Sequence, residues 1–246
     1  MNGCILERIF RVKDQLCDFD NNFTIEISEG FRVILREPVL LDDDISWLTG
    51  AEPSRQEHSG DELIMTYIAE KRGSQSNAQY DIPIELRFLR INQDYRLKEG
   101  YLSKNLTDIL SDQLLTQLIQ SICRSEKSLV QQRITVDIST LNQLLLPSKS
   151  DLVTILGPPN RDSGNELMLL YDYQLKNHSS MDAAVTIEIL FDKPARRIRR
   201  MKVRYLRYHL DANFEEGEAV LKLDVFYEVQ ARSEDPQLYL ESSPGS

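Results

Sequence analysis

Apolar and polar residues alternate through much of the chain, and where they do a half-buried strand is expected. Phe23-Thr24-Ile25-Glu26-Ile27 and Phe31-Arg32-Val33-Ile34-Leu35, separated by Glu29-Gly30, predict a strand, a turn and a second strand. Glu62 to Ala69 and Glu166 to Leu175 predict further strands, and Arg133 to Ile138 and Val220 to Val229 two more. Ile84, Leu86 and Phe88 fall on one strand face, as do Ile187, Ile189 and Phe191. Met201, Val203 and Tyr205 share a face opposite Arg200, Lys202 and Arg204, and by the same alternation Leu97, Glu99 and Tyr101 oppose Arg96, Lys98 and Gly100. A different period governs Leu106, Ile109, Leu110, Leu114, Leu115, Leu118, Ile119 and Ile122, whose i, i+3, i+4 spacing predicts a long amphipathic helix over 106–122. Apolar residues at 5, 6, 9, 10 and 12 predict another helix.

Two short helices are marked by punctuation. Asp42-Asp43-Asp44 precedes Ile45, Trp47, Leu48 and Gly50. In the second, Pro147, Ser148 and Ser150 precede Asp151 to Leu156, and Gly157-Pro158-Pro159 follows. Acidic or hydroxyl residues at the start, then glycine and proline at the end, are helix boundaries.

These segments recur. Ser59-Gly60-Asp61-Glu62-Leu63-Ile64-Met65-Thr66-Tyr67 and Ser163-Gly164-Asn165-Glu166-Leu167-Met168-Leu169-Leu170-Tyr171 share five of nine residues at an offset of 163 − 59 = 104. Flanking matches follow at 103 (Ile84, Ile187), 104 (Lys98, Lys202) and 107 (Asp44, Asp151). Such self-similarity predicts an α+β fold of two tandem similar units. Each unit is expected to hold a short helix and an antiparallel sheet of three or four strands, with the longer helix between them. The expected divisions are 1–22 as an N-terminal segment, 23–104 as the first unit, 105–232 as the inter-repeat helix and second unit, and 233–246 as a flexible tail rich in Pro, Ser, Gly and acids.

Ser148 to Pro159, then Tyr171-Asp172-Tyr173 and Ile187-Glu188-Ile189-Leu190-Phe191-Asp192, resemble the outer-membrane lipoprotein family of BamE (SmpA/OmlA). A tandem pair of such units is also similar to beta-lactamase inhibitor protein. The likeness covers about 147–206 well and 41–102 faintly, where Thr49-Gly50-Ala51-Glu52-Pro53 carries one extra residue and Phe88-Leu89 lacks the acid. It implies an envelope scaffold or inhibitor-like binding protein. Because the shared residues are helix stops and core positions, no functional residue carries over.

Composition narrows the function. The 246 residues carry 29 basic and 39 acidic side chains, a formal charge of −10, which argues against bulk nucleic-acid binding. No stretch approaches the roughly 18 apolar residues of a spanning helix, so the chain reads as soluble. Cys4, Cys17 and Cys123 are too scattered for a zinc site. They read as three thiols or as one disulfide, for example Cys4 to Cys17. Gly3-Cys4 resembles the end of a bacterial lipoprotein signal, which makes Cys4 a lipidation candidate and the only expected membrane attachment.

His58, His178 and His209 lack partners at ligand or triad spacing, and no phosphate loop or nucleophile motif is present. Asp42 to Asp44 reads as a helix start in preference to a cation site. The remaining candidate is the basic run that includes Arg197, Arg200, Lys202 and Arg204, either an anion or partner site or a solvated face paired across strands. The expectation is a non-enzymatic protein without cofactors, on the periplasmic side of a bacterial envelope, binding a protein or another envelope component. One alternative is a cytoplasmic enzyme or small-ligand-binding protein with a cleft site that gathers His58, His178, Asp172 and the arginines. Another is a structural subunit that buries the 106–122 helix in an oligomer.

Overall fold

The computed structural model describes residues 5–27, 30–73, 78–107, 111–128, 133–161, 163–177, 184–193 and 197–223. Its elements in chain order are α1 (Ile5–Cys17), α2 (Phe19–Asn22), β1 (Phe23–Ile27), β2 (Gly30–Leu35), α3 (Asp42–Thr49), β3 (Arg55–Ser59), β4 (Glu62–Lys71), β5 (Ile82–Ile91) and β6 (Asp94–Ser103). There follow α4 (Lys104–Thr107), α5 (Asp112–Ser121), β7 (Glu126–Ser128), β8 (Arg133–Asp137), α6 (Lys149–Leu156), β9 (Met168–Leu175), β10 (Val185–Phe191), β11 (Ile198–Tyr205), β12 (Tyr208–Asn213) and β13 (Glu218–Leu223).

The 13 strands of the described residues belong to one antiparallel sheet in the order β1-β2-β6-β5-β4-β9-β10-β11-β12-β13-β8-β7, with β3 paired to the outer half of β4. This corrects the expected fold class. The molecule is mostly antiparallel sheet with a few short helices, and it is not an α+β arrangement of two helix-plus-sheet units. Periodicity within a segment could not reveal the reason. β4 and β9, the strands that carry the repeated segments, pair with each other through Ala69↔Leu175, Glu70↔Gln174 and Lys71↔Tyr173. That short ladder makes the sheet continuous.

The long helix over 106–122 is also corrected. Ser111 has an extended backbone, with φ −52° and ψ 146°, and its hydroxyl accepts the Leu114 N–H, so α5 starts afresh there. Of the three cysteines, Cys17 and Cys123 form a disulfide that ties the end of α1 to the turn after α5. Neither the three-thiol reading nor the Cys4–Cys17 pairing survives that bond. Cys4, His178, the tail from 233 and the 224–229 part of the last predicted strand lie outside the described residues.

One face of the sheet carries α1, α2, α3, α5 and α6. Leu63, Met65, Tyr67, Phe88 and Leu97 pack with Leu40 and Ile45, and with Ile9 and Val12 of α1. Under α5 and α6, Leu114, Leu152 and Leu156 meet Leu169, Tyr171, Tyr173, Ile189 and Phe191. A third cluster, Phe19, Phe23 and Leu35, seats α2 on the first hairpin. Lys71, buried at 4% exposure, crosses from β4 to donate to the carbonyls of Leu156 and Pro158 at the end of α6. Its ammonium lies 5.0 Å from the ring centres of both Tyr80 and Tyr171, and burial pushes its pKa down.

The alternate residues point to the other face, and the β4–β9 register carries it across the centre, since Glu70 pairs with Gln174. In the first half of the chain one assignment of faces is corrected. The β5–β6 register slips between Arg87↔Glu99 and Phe88↔Leu97, so Lys98 is an extra residue in β6. Past that bulge Leu97 shares the helix face with Gly100 and Leu102, whereas Arg96, Glu99 and Tyr101 lie opposite. Glu99 there receives the Arg32 guanidinium at 2.9 Å.

Candidate functional site

The helix-free face between β9 and β8 forms an open trough of about 760 Å³. Its floor is set by strand alternation. In β11 the odd residues Met201, Val203 and Tyr205 turn toward the core side, which leaves Arg200, Lys202 and Arg204 exposed in the trough. Residues directly opposite on neighbouring strands stand about 5 Å apart, so register decides which charges meet.

Three rows result. The outermost runs Thr186, Arg204, His209, Lys222, Arg133, four adjacent strands each presenting a basic or protonatable side chain. In the middle row Lys202 lies between Glu188 and Asp211. The third places Arg200 beside Asn213 and then Glu218. Compensation is uneven across these rows. Arg200 donates two hydrogen bonds to Asp211, at 2.7 and 2.5 Å, and these hold the Asp211 carboxyl below the usual carboxylate range. Arg133 reaches Glu218 at 3.1 Å, and Arg161 reaches Asp172 at 2.8 Å. Among the described residues, neither Arg204 nor Lys222 makes an ion pair.

The sequence candidates thus separate. Arg200, Lys202 and Arg204 come together in the trough. Arg197 stands at the β10–β11 turn, where its backbone N–H donates to Asp192 at 3.0 Å, and does not border the trough. The paired-face reading describes Arg200, and also Arg199, whose guanidinium meets Glu215 at 2.6 Å. It does not describe Arg204. His209 reads from sequence only as a histidine without a partner, and nothing in the sequence joins it to Lys222, Arg133 and Arg161. Alternation puts each on a strand face, but only register puts them in one row.

The other candidate chemistry does not converge. His58 sits on β3 against Tyr95, with ring centres 5.6 Å apart, and Asp172 is engaged by Arg161. Neither residue lines the trough or the smaller cavity of about 410 Å³ beside Ser163 to Met168. Asp44 accepts the Leu41 N–H at 2.8 Å and two bonds from Arg8, at 2.6 and 2.5 Å, so the acidic triplet starts α3. Among the described residues no group of three or more His, Cys, Asp and Glu is placed to hold a metal ion. No described helix is long and apolar enough to cross a membrane.

No protein-family model, curated protein or solved structure matches the chain.

Proposed function

We propose that this is a non-enzymatic binding protein of the bacterial envelope that takes up an anionic envelope component on the helix-free face of its sheet. The observation that carries the reading is the row Arg204, His209, Lys222, Arg133 in a chain of formal charge −10. Like charges placed directly opposite one another across strands destabilise a sheet. Lys222 stands directly opposite Arg133, which Glu218 pairs, and Arg204 makes no ion pair among the described residues, so the row carries cations that a bound anion would offset.

The Cys17–Cys123 bond supports an oxidising compartment, since disulfides persist in the periplasm and outside cells and are rare in reducing cytosol. The likeness of 147–206 to BamE-type lipoproteins points to the same compartment, with attachment through Cys4 as part of the proposal. The test is capture from detergent-solubilised envelope extract of the source bacterium. Wild-type protein should retain a component that the double charge reversal R204E/K222E loses and that K193E, at the remote β10–β11 turn, keeps. Equal retention by all three would remove the trough from the function.

A further inference from the structure

We infer that the basic row binds a compact, soluble molecule bearing two or more phosphate groups. The inference rests on the binding function proposed above and adds the chemistry of the ligand.

Size comes first. Four neighbouring strands at roughly 4.8 Å spacing put the ends of the row about 14 Å apart. One phosphate can span one interval between strands, so occupying the row takes several anionic groups in line. The trough, at about 760 Å³, has room for them.

The kind of group comes from what surrounds the row. The trough also holds Glu188, Asp211, Glu216 and Glu218. Asp211 is committed to Arg200, Glu218 meets Arg133, and Glu188 stands opposite Lys202. Glu216 acts on Arg200, so among the described residues the cations of the row that make no ion pair are Arg204 and Lys222, with His209 between them and Arg133, itself paired to Glu218, at the far end. Guanidinium forks and ammonium groups are the donors that phosphate oxygens accept from most strongly.

The class of partner is limited by what the trough lacks. Among the described residues no Phe, Tyr or Trp lines it. Protein interfaces draw most of their affinity from buried aromatic anchors together with arginine, and a trough that offers arginines without aromatic anchors is poorly suited to a protein segment. The cations line a concavity of about 760 Å³, which suits a compact molecule better than a flat bilayer.

The experiment is isothermal titration calorimetry of the whole chain at constant ionic strength with orthophosphate, tripolyphosphate and inositol hexakisphosphate. Co-sedimentation with vesicles of phosphatidylcholine and phosphatidic acid runs beside it. Tripolyphosphate should bind at least tenfold more tightly than orthophosphate. R204Q and K222Q should each weaken it by about tenfold, and K193Q should leave it unchanged. Because each trough variant relieves repulsion, its Tm at low salt should equal or exceed that of wild type. The inference is overturned if the multiply charged probes bind no better than orthophosphate, if K193Q loses as much as R204Q, or if vesicles sediment the protein while soluble probes do not bind. Should those probes fail while envelope capture still depends on Arg204 and Lys222, the phosphate assignment falls and the binding function stands. Should capture also be indifferent to the two residues, both fall.

Discussion

Tyr171 and Tyr173 stand two residues apart on β9, both with fully buried rings, and differ in what their hydroxyls meet. The Tyr171 hydroxyl donates to the Gly157 carbonyl at 3.1 Å, while that of Tyr173 has no hydrogen-bond partner among the described residues. A buried hydroxyl that is paired contributes about 1 kcal/mol, and one that is unpaired costs free energy. Tyr171→Phe should therefore lower the denaturant midpoint by the equivalent of about 1 kcal/mol, whereas Tyr173→Phe should leave it unchanged or raise it. Urea unfolding followed by circular dichroism makes the comparison, and equal losses would contradict it. At this scale the sequence is informative about type and silent about partners. Ser148 and Gly157 mark the ends of α6 as their chemistry requires: Ser148 accepts the Asp151 N–H, and Gly157 takes a φ of 72° where a Cβ would lie 2.8 Å from both the Tyr80 ring and the Lys71 ammonium. Nothing in the neighbourhood of Lys71 in the sequence indicates that it caps that helix from a strand 85 residues away.

Between elements, register does what periodicity cannot. Alternation places Met201, Val203 and Tyr205 opposite Arg200, Lys202 and Arg204 correctly, because β11 is regular along that stretch. The same rule misassigns Glu99 and Tyr101, since the one-residue bulge at Lys98 inverts the face beyond it and leaves no compositional trace. The predicted helix over 106–122 has the right period, yet the Ser111 cap interrupts it. Pairing between β11 and β12 also gives stability a pH dependence. The Arg200 hydrogen bonds lower the folded-state pKa of Asp211 beneath its usual 3.8, and bonds from Ser148 do the same for Asp151. A carboxylate whose pKa is depressed on folding stabilises the fold above its unfolded pKa, and that contribution is lost as pH falls through the folded value. Thermal stability should therefore drop as pH falls from about 5 toward 2. In Arg200→Gln the drop should be shallower, and an identical profile in the variant would contradict the assignment.

For the whole molecule, the repeat is legible and its consequence is not. Two matching segments suggest two separate sheets, but the three-residue β4–β9 ladder joins them and extends one polar face from the first half of the chain into the second. The disulfide is the other long-range tie. Closing a loop of 106 residues between Cys17 and Cys123 should stabilise the fold by about 4–5 kcal/mol if loop entropy dominates. Reduction, or the C17S/C123S double substitution, should accordingly lower Tm by roughly 10 °C or more, and an unchanged Tm would contradict a structural role. Function at this scale comes down to which face is used. Lysine acetylation footprinting, read by mass spectrometry with and without tripolyphosphate, asks that directly. Slowed acetylation at Lys202 and Lys222 with no change at Lys104 or Lys193 is the predicted result, and protection at Lys104, or at none of the four, would contradict a binding site on the helix-free face.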